Sequence, residues 1–380
     1  MERDRRASYT PGITEQGARM TIDFGWFLPT MGDSERIGPP TRPATLDYLV
    51  EVARAAEEAG FVFALVPVGT TCEDAWLASG IVAGRTERLK FLVAMRPGFI
   101  APTVAAKMAT TFDVLTRGRV LINVVTGGFP HELAADGDFT EHDERYARTQ
   151  EFMQVVRRAW TEPGRWDHSG RYYRVEGGNV FPKPYTKPYP PFYFGGASDA
   201  AKKVGAEEAD VYLLWGETLE MVRERIADMR GRAAAVGRTL RFGMRIHVIA
   251  RETDEEARAA AEALIADIPE NFQSMMERHL STTDSEGEKR QREMVQQEWL
   301  GPNLWAGIGR ARLGVGTALV GSGESVAARL REYVAEGIDT FILSGYPHLE
   351  EAQRFGRYVM PHFRGEASVA VAPERELARA

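Results

Sequence analysis

Residues 241–248, RFGMRIHV, form an apolar β-strand pattern into which two polar side chains, Arg245 and His247, are set. Because residues two apart on a strand project from the same face, a permanent cation and a group that titrates near neutrality share one surface. Residues 343–350, LSGYPHLE, are a second apolar run that turns polar at its end, around Tyr346. Polar ends of buried strands are where an α/β barrel carries its functional groups. The alternative is that Arg245 and His247 simply pair with carboxylates.

Short apolar runs alternate with longer amphipathic runs along most of the chain. The short runs predict eight strands, near residues 22–27, 61–66, 90–95, 119–124, 192–194, 211–214, 241–248 and 338–343. Helical spacing is found near residues 45–59, 72–84, 101–116, 143–160, 197–208, 218–235, 253–267, 322–336 and 348–362. Strands that are apolar on both faces and separated by helices are typical of parallel sheets. The pattern therefore predicts an α/β fold, one (β/α)8 TIM barrel with insertions, over residues 21–365.

Four segments depart from this repeat. Residues 1–20 lack an apolar core and are expected to form a flexible arm, and residues 366–380 a C-terminal tail. Residues 161–191 are rich in Pro and Tyr and predict a short hairpin followed by an extended arm. Residues 268–320 are too long for a plain loop, and their second half is rich in glycine. We expect this segment to be an active-site lid with glycine hinges; the alternative is an insertion that serves oligomerisation.

Composition narrows the class of protein. Of the 380 residues, 44% are hydrophobic and 27% charged, which is typical of a globular enzyme. Cys72 is the single cysteine, so no internal disulfide forms, and the cytoplasm is the expected compartment. Its place at the start of a predicted helix would favour a thiolate, whereas most lone cysteines are small buried apolar groups.

Several classes of partner are not expected. The sequence has no uninterrupted apolar run of about 18 residues, so it predicts no membrane span. A net charge of −7 without a basic stripe argues against nucleic acid as a partner. The seven histidines show no HxxxH spacing, so the sequence predicts no metal site.

The predicted strand ends also carry candidate cofactor-binding residues. They share a position after a strand or near the start of the next helix, and they are Asn123, Thr126, Tyr146, Ala197, Ser198 and Trp215. Ser198 opens a helix in GGASD, where free N–H groups suit a phosphate, although Gly-Ser at that place is also ordinary capping. Asn123 and Thr126 can face the polar edge of a heterocycle. Tyr146 and Trp215 can equally be packing residues.

These motifs carry a resemblance to a known family. The runs FLPT, TCEDAW, RLKFLVAMRP, VVTG, DERY, YPPFYFGGASD, WGE, RFGMRIHVI, PNLWAG, GTALVG and LSGYPHLEEA resemble, in order, those of the alkanesulfonate monooxygenases of the bacterial luciferase-like flavin superfamily. The resemblance implies a luciferase-like (β/α)8 barrel that uses O2 and reduced FMN (FMNH2) from a separate NAD(P)H-dependent flavin reductase. The implied reaction cleaves the carbon–sulfur bond of an organosulfonate and yields sulfite and an aldehyde. The resemblance also implies a homodimer or homotetramer.

The resemblance assigns roles to individual residues. The matching positions are Cys72 in CEDAW, Trp215 before GE, Arg245 and His247 in the RxH pair, Tyr346 in SGYPHLEE and Arg312 in the mobile loop. Arg310 stands close to Arg312, and counting back from GTALVG favours Arg312. We expect Arg245 and Arg312 to stabilise anionic oxygens once the lid excludes water. We expect His247 to transfer a proton, since its ordinary pKa is about 6.5, and Tyr346 to hydrogen-bond the intermediate.

One position departs from the family pattern. Met31 stands where the motif FLPTHGD has a histidine. A thioether cannot donate a hydrogen bond to a sulfonate oxygen, so we expect an organosulfonate with a larger or more polar tail, such as the sulfosugar sulfoquinovose. The alternatives are another luciferase-like flavin enzyme, either a sulfone monooxygenase or a deazaflavin-dependent oxidoreductase, and a non-catalytic flavin-binding protein.

Overall fold

The computed structural model describes residues 21–310, 312 and 314–368. Within them the strands are β1 (Asp23–Phe27), β2 (Phe63–Val66), β3 (Lys90–Met95), β4 (Val120–Val124), β5 (Trp166–Ser169), β6 (Arg174–Gly178), β7 (Phe192–Gly195), β8 (Val211–Trp215), β9 (Arg241–Arg251), β10 (Leu304–Trp305), β11 (Ala318–Ser322) and β12 (Thr340–Ser344). The helices are α1 (Leu46–Ala59), α2 (Ala75–Ala83), α3 (Pro102–Thr116), α4 (Pro130–Ala135), α5 (His142–Thr161), α6 (Asp199–Glu208), α7 (Leu219–Ala235), α8 (Asp254–Ile265), α9 (Glu270–Ser281), α10 (Glu286–Val295), α11 (Gly323–Glu336) and α12 (His348–Tyr358). Short 3-10 turns lie at Gly307–Arg310 and Met360–Phe363.

Eight of the described strands are parallel and close into a barrel. Their order around the ring is β1, β2, β3, β4, β7, β8, β9 and β12, and the pairing of β12 with β1 completes it. The strands are apolar on both faces because inward side chains fill the barrel while outward ones pack against the surrounding helices. The predicted (β/α)8 barrel is confirmed, and each barrel strand begins within two residues of its predicted position.

Helix α1 shows how local sequence marks the repeat. The Thr45 side chain accepts a hydrogen bond from the backbone N–H of Tyr48, which caps the first turn. Gly60 ends the helix in the left-handed conformation, with a φ of 98°. Between them, an apolar stripe that includes Leu49 and Val52 is buried. Capping and periodicity therefore agree along this element, which is why its ends were predictable.

The strand β9 is longer than its neighbours in the barrel. The second insertion pairs with the part of β9 that extends beyond them. β8 pairs with residues 241–245 of β9, and β12 with residues 243–247. β11, at the end of the insertion, pairs in parallel with residues 247–251. The backbone N–H of His247 donates to the carbonyl of Thr317 at 3.0 Å. The insertion is thus anchored directly on the strand that carries the RxH pair.

The segments that depart from the repeat have different outcomes. In the first insertion, β5 and β6 form the predicted antiparallel hairpin. The second insertion contains α9, α10, β10 and the start of β11, which were not predicted as elements. The arm at 1–20 and most of the tail lie outside the described residues, so these expectations stay predictions. The start of the tail is described, and there Ala367 forms a bridge with Ile22 beside β1.

In the described part of the chain, no helix has the length and apolar character needed to cross a membrane.

Candidate active site

Arg245 and His247 of β9 lie at the carboxyl ends of the barrel strands. Arg245 is opposite Trp215 of β8, and His247 is opposite Ser344 of β12. The Arg245 guanidinium stands over the ring of Phe27, 5.0 Å from its centre, and that ring belongs to the apolar cluster formed by the strands. The two residues therefore share one surface, as their spacing predicts.

Among the described residues, the buried guanidinium of Arg245 is hydrogen-bonded only by neutral groups. It donates to Ser344 Oγ at 2.7 Å and to the carbonyl oxygens of Ile246 at 3.1 Å and Ile342 at 3.4 Å. No carboxylate of the described residues pairs with it. Burial lowers the pKa of Arg245 well below its ordinary value, and the positive charge of Arg312 lowers it further. The charge of Arg312 thus repels the Arg245 guanidinium, whose burial leaves little water to screen it.

Arg241 provides a contrast at the other end of the same strand. Its guanidinium contacts Asp23 at 2.8 Å and Asp339 at 3.0 Å. That pairing is the alternative considered for Arg245 and His247, and it applies to Arg241 instead. Asp23 and Asp339 therefore neutralise Arg241 at the amino end of β9. Near the carboxyl end, no carboxylate of the described residues neutralises Arg245.

His247 is fully buried. Its Nδ1 lies 2.7 Å from Ser344 Oγ, its ring stacks on Tyr346 at 5.9 Å, and its Nε2 has no hydrogen-bond partner among the described residues. Burial lowers the pKa of His247 well below its ordinary value, and the charges of Arg312 and Arg245 lower it further. The expectation of a group that titrates near neutrality is therefore wrong, because burial and two cations all disfavour the imidazolium ion.

The structure distinguishes between the two candidate lid arginines. Arg312 Nε donates to the Tyr346 hydroxyl at 2.8 Å. Arg310 instead contacts Glu298 at 2.8 Å, and its side chain is 43% exposed. Arg312 is therefore the arginine that joins Tyr346 and the RxH pair, and Arg310 is not.

A buried pair that the sequence analysis missed lies beside this cluster. Asp33, from the loop after β1, accepts hydrogen bonds from the backbone N–H of His348 at 2.7 Å, from the Tyr48 hydroxyl, and from His348 Nδ1 at 2.8 Å. Burial opposes ionisation of Asp33, but His348 and these hydrogen bonds outweigh it and lower its pKa. The Nε2 of His348 is buried and has no partner among the described residues. His348 also stands 4.9 Å from the ring of Tyr346.

The signal for this pair was present in the sequence. Asp33 and His348 both belong to motifs that follow predicted strands, FLPTMGD and SGYPHLEEA. In a closed barrel the first and last strands are neighbours, as the pairing of Asp23 with Thr340 confirms. The loops that follow those strands therefore meet.

The second insertion supplies two further buried polar residues. Gln291 on α10 donates to the carbonyl of Gly216 at 3.1 Å and accepts from the N–H of Gly316 at 2.8 Å. Glu288, one turn earlier, accepts from the N–H of Gly314 at 2.9 Å. Burial raises the pKa of Glu288 to about 7, although this hydrogen bond and the charge of Arg312 oppose the rise. α10 thereby holds the residues that follow Arg312.

Two candidate cofactor residues lie at the end of β4. Asn123 is half-buried and lies opposite Tyr193 of β7. Thr126 is buried, and its hydroxyl oxygen is 3.2 Å from that of Thr149 on α5. These contacts place both residues on the same rim as the RxH pair, since β4 and β9 run parallel in one barrel.

The other candidate cofactor residues follow β7 and β8. Ser198 caps α6 by accepting from the N–H of Ala201 at 3.2 Å, and half-buried Ala197 precedes it. Tyr146 lies beside Ser198; burial raises its pKa to about 12, although a hydrogen bond with Ser198 opposes the rise. Trp215 is half-buried and lies against α10, where a Cβ on Gly287 would stand 3.2 Å from its ring.

Cys72 departs from its expected position. α2 begins at Ala75 and is capped by Asp74, so Cys72 lies in the preceding turn and not at the helix start. Burial raises the pKa of the Cys72 thiol, and Glu132 adds to the rise, while Arg96 and Arg312 oppose it. Of the two alternatives, burial therefore favours a neutral buried thiol, and the influence of Arg312 shows that the thiol lies near the RxH cluster.

Comparison with known proteins agrees with this architecture. The sequence pattern of the luciferase-like monooxygenases matches residues 22–340. Three solved structures share the fold. EDTA monooxygenase (EmoA) from Chelativorans sp. BNC1 has a TM-score of 0.74 and 18% identity, and the match covers 93% of this chain and 96% of that chain. Riboflavin lyase (RcaE), solved with modified FMN and riboflavin, has a TM-score of 0.73 and 21% identity, with coverage of 93% and 94%; long-chain alkane monooxygenase (LadA) has a TM-score of 0.70 and 22% identity, with coverage of 92% and 93%. Since the matched pattern spans most of the chain, this protein belongs to the luciferase-like monooxygenase family.

Proposed function

We propose that this protein is the oxygenase of a two-component FMNH2-dependent system that cleaves the carbon–sulfur bond of an organosulfonate. Its products are sulfite and an aldehyde, and a separate NAD(P)H-dependent flavin reductase provides the reduced FMN. The observation that carries the proposal is the pair of guanidinium groups, Arg245 and Arg312, which repel each other around a buried, neutral His247.

An anion is the ligand that this arrangement favours. A buried cation such as Arg245 is costly without a counter-charge, and the positive charge of Arg312 nearby raises that cost. A sulfonate head group carries one negative charge spread over three oxygens, so it can accept hydrogen bonds from both guanidinium groups at once. The hydrogen-bond partners of Arg245 among the described residues are neutral and provide no counter-charge.

The chain's own residues fit a flavin mononucleotide. Ser198 and the first N–H groups of α6 would hold the phosphate, with the Tyr146 hydroxyl beside them. Trp215 would form an apolar wall, and Asn123 would face the polar edge of the ring. The riboflavin lyase that shares this fold was solved with a modified FMN. Reduced FMN supplies the electrons with which O2 is activated.

The protein residues then have separate tasks. Arg245 and Arg312 orient the sulfonate and stabilise negative charge that develops on oxygen. The Tyr346 hydroxyl accepts from Arg312 and has its own proton to donate to the reacting oxygen. We assign proton transfer to His348, because Asp33 holds its Nδ1 and leaves Nε2 available. His247 acts as a neutral hydrogen-bonding group, since its pKa is too low for it to carry a proton at neutral pH.

The insertion and Cys72 complete this site. The buried contacts of Gln291 and Glu288 hold the insertion against the rim, which keeps water away from the reaction. Cys72, whose burial favours the neutral thiol, lies close enough to feel the charge of Arg312 and has no role as a nucleophile in this proposal.

The substrate tail is expected to be larger or more polar than a linear alkane. Met31 is 39% exposed and cannot donate a hydrogen bond, so the head group depends on the arginines alone. A sulfosugar such as sulfoquinovose fits this requirement. We also propose a homodimer or homotetramer, which light scattering of the purified protein tests directly.

A sulfite-release assay tests the function. The protein is supplied with FMN, a flavin reductase, NAD(P)H and O2, and is offered linear alkanesulfonates, sulfoquinovose and a dialkyl sulfone. Sulfite is expected only with all components present, and most rapidly with sulfoquinovose. A preference for linear alkanesulfonates would remove the sulfosugar assignment but keep the reaction.

Other outcomes separate the alternatives. If the dialkyl sulfone is the only compound oxidised, the substrate is a sulfone and not an organosulfonate. Hydride transfer with a deazaflavin and no sulfite would exclude the proposed reaction. A single-turnover measurement with preformed FMNH2 that yields no product from any substrate would leave a flavin-binding protein.

A further inference from the structure

Two histidines that are far apart in the chain meet where the second insertion touches the barrel. His131 and Glu132 lie in α4, in the loop that follows β4, and His279 lies in the last turn of α9. One ligand atom from each of these three residues lies within 4.8 Å of the other two. The histidines have no metal-binding spacing in the sequence, so only the fold could reveal the cluster.

The distance between His279 and Glu132 is typical of two ligands of one ion. His279 Nε2 is buried, has no hydrogen-bond partner among the described residues, and lies 3.6 Å from Glu132 Oε1. That distance exceeds the roughly 2.7–3.2 Å of an N–H···O hydrogen bond. Two ligand atoms about 2.1 Å from a tetrahedral ion are separated by about 3.4 Å. A small shift would therefore bring both atoms onto one ion.

Hydrogen bonds prepare the ring of His131 for the same ion. The Thr282 hydroxyl donates its only proton to the carbonyl of His279 at 2.7 Å. At His131 Nδ1, 3.2 Å away, the same oxygen must therefore accept, which places the His131 proton on Nδ1 and the lone pair on Nε2. A hydrogen bond from the far nitrogen to an oxygen is the usual support for a metal-binding histidine.

The contacts of Glu132 leave one of its carboxylate oxygens directed toward His279. Arg96 contacts Glu132 Oε2 at 3.3 Å and leaves Oε1 toward His279. The positive charge of Arg96 would weaken cation binding, although it is shared with Asp136 at 3.4 Å. The site should therefore bind an ion less tightly than a closed four-ligand site does.

We propose that His131, Glu132 and His279 bind a divalent transition-metal ion of the zinc class, with water as the fourth ligand. Two imidazoles and one carboxylate are a ligand set that such ions accept. The ion would tie α9 to the loop after β4. In that junction the Thr283 hydroxyl already donates to the carbonyl of Gly128 at 2.7 Å. The ion therefore fixes one end of the insertion, while α10 holds the other.

Direct metal titration tests the site. Untagged full-length protein is freed of metal with EDTA, dialysed, and titrated with Co2+, whose visible d–d absorption reports tetrahedral coordination. We expect saturation at one equivalent and displacement by Zn2+. The variants His279→Gln and Glu132→Gln should each weaken Co2+ binding about tenfold or more, because the loss of even a hydrogen-bond partner of a ligand costs about that much. The variant His362→Gln, which alters an exposed histidine of the Met360–Phe363 turn, should bind like wild type.

A second readout follows the insertion itself. Zn2+ should slow hydrogen exchange of the backbone amides of residues 270–285 in the wild-type protein and leave His279→Gln unchanged. Circular dichroism tests whether each variant is folded. If His279→Gln is unfolded, Glu132→Gln takes its place in the hydrogen-exchange measurement. Absence of a tetrahedral Co2+ spectrum in wild type, or equal Co2+ affinity in wild type, His279→Gln and Glu132→Gln, would overturn the proposal. Neither readout uses turnover, so the result is independent of the proposed reaction.

Discussion

Replacement of Glu288 by glutamine should make the protein less sensitive to rising pH. Burial raises the pKa of this carboxyl from its ordinary 4.5 to about 7. Since each pKa unit corresponds to about 1.36 kcal/mol, the native state disfavours the ionised form by about 3 kcal/mol. A carboxyl group whose pKa is higher in the native state than in the unfolded state stabilises the native state while the group is protonated, at low pH. That contribution is complete below about pH 4.5 and is lost as the pH rises through about 7.

The measurement is the free energy of unfolding in urea, followed by tryptophan fluorescence between pH 5 and pH 8. Glutamine keeps an oxygen that accepts from the N–H of Gly314 but cannot ionise. The stability of Glu288→Gln relative to wild type should therefore increase by about 2–3 kcal/mol over this range. Glu286→Gln is the matched control, because Glu286 is exposed on the same helix and pairs with Lys289. Parallel stability curves for Glu288→Gln and wild type would refute the assignment of a buried, protonated Glu288.

Three further substitutions test the cationic rim and the pair beside it. Arg312→Ala should lower kcat for sulfite release by about 10²–10³-fold and leave FMN binding, measured by fluorescence, nearly intact, whereas Arg310→Ala should resemble wild type; equal losses would contradict the distinction between them. Tyr346→Phe removes the hydroxyl that accepts from Arg312 and should lower kcat by about 10-fold or more, with unchanged FMN affinity; unchanged kcat would exclude a role for the hydroxyl. Asp33→Asn should cost about 3 kcal/mol of unfolding free energy at pH 7, because it removes the buried anion that His348 contacts. The lowered pKa of Asp33 stabilises the native state above about pH 4, so the deficit of Asp33→Asn should shrink as the pH falls below that value, and a constant deficit would argue against an ionised Asp33.

The barrel was predictable because its signals are local. Each strand is a short run that is apolar on both faces, and helix ends such as Gly60 are marked by residues suited to their conformation. The placement of Arg245 and His247 on one surface also needed only the alternation of side chains along a strand. For these features the sequence pattern and the packing depend on the same few neighbouring residues.

The chemistry of the site was less predictable because burial there comes from distant segments. The low pKa of His247 results from its enclosure and from the charges of Arg245 and Arg312. Nothing within RFGMRIHV reveals that environment. Glu288 lies in a helix with many charged residues, where sequence reasoning expects solvent exposure, since carboxylates are seldom fully buried. Its burial depends on how α10 docks against the rim, which is a tertiary property.

The strand β9 explains how the second insertion brings Arg312 to the candidate site. β9 has 11 residues, and β8 and β12 occupy only its first part, which leaves residues 247–251 to pair with β11. Because that pairing begins at His247, the segment just before β11 is brought over the face that carries the RxH pair. A hydrogen bond from the N–H of Gly309 to the carbonyl of Gly316, at 3.0 Å, closes the loop between them. Arg310 and Arg312 both lie between these two glycines, but Arg312 contacts Tyr346 whereas Arg310 contacts Glu298, so position within the loop decides which arginine joins the RxH pair.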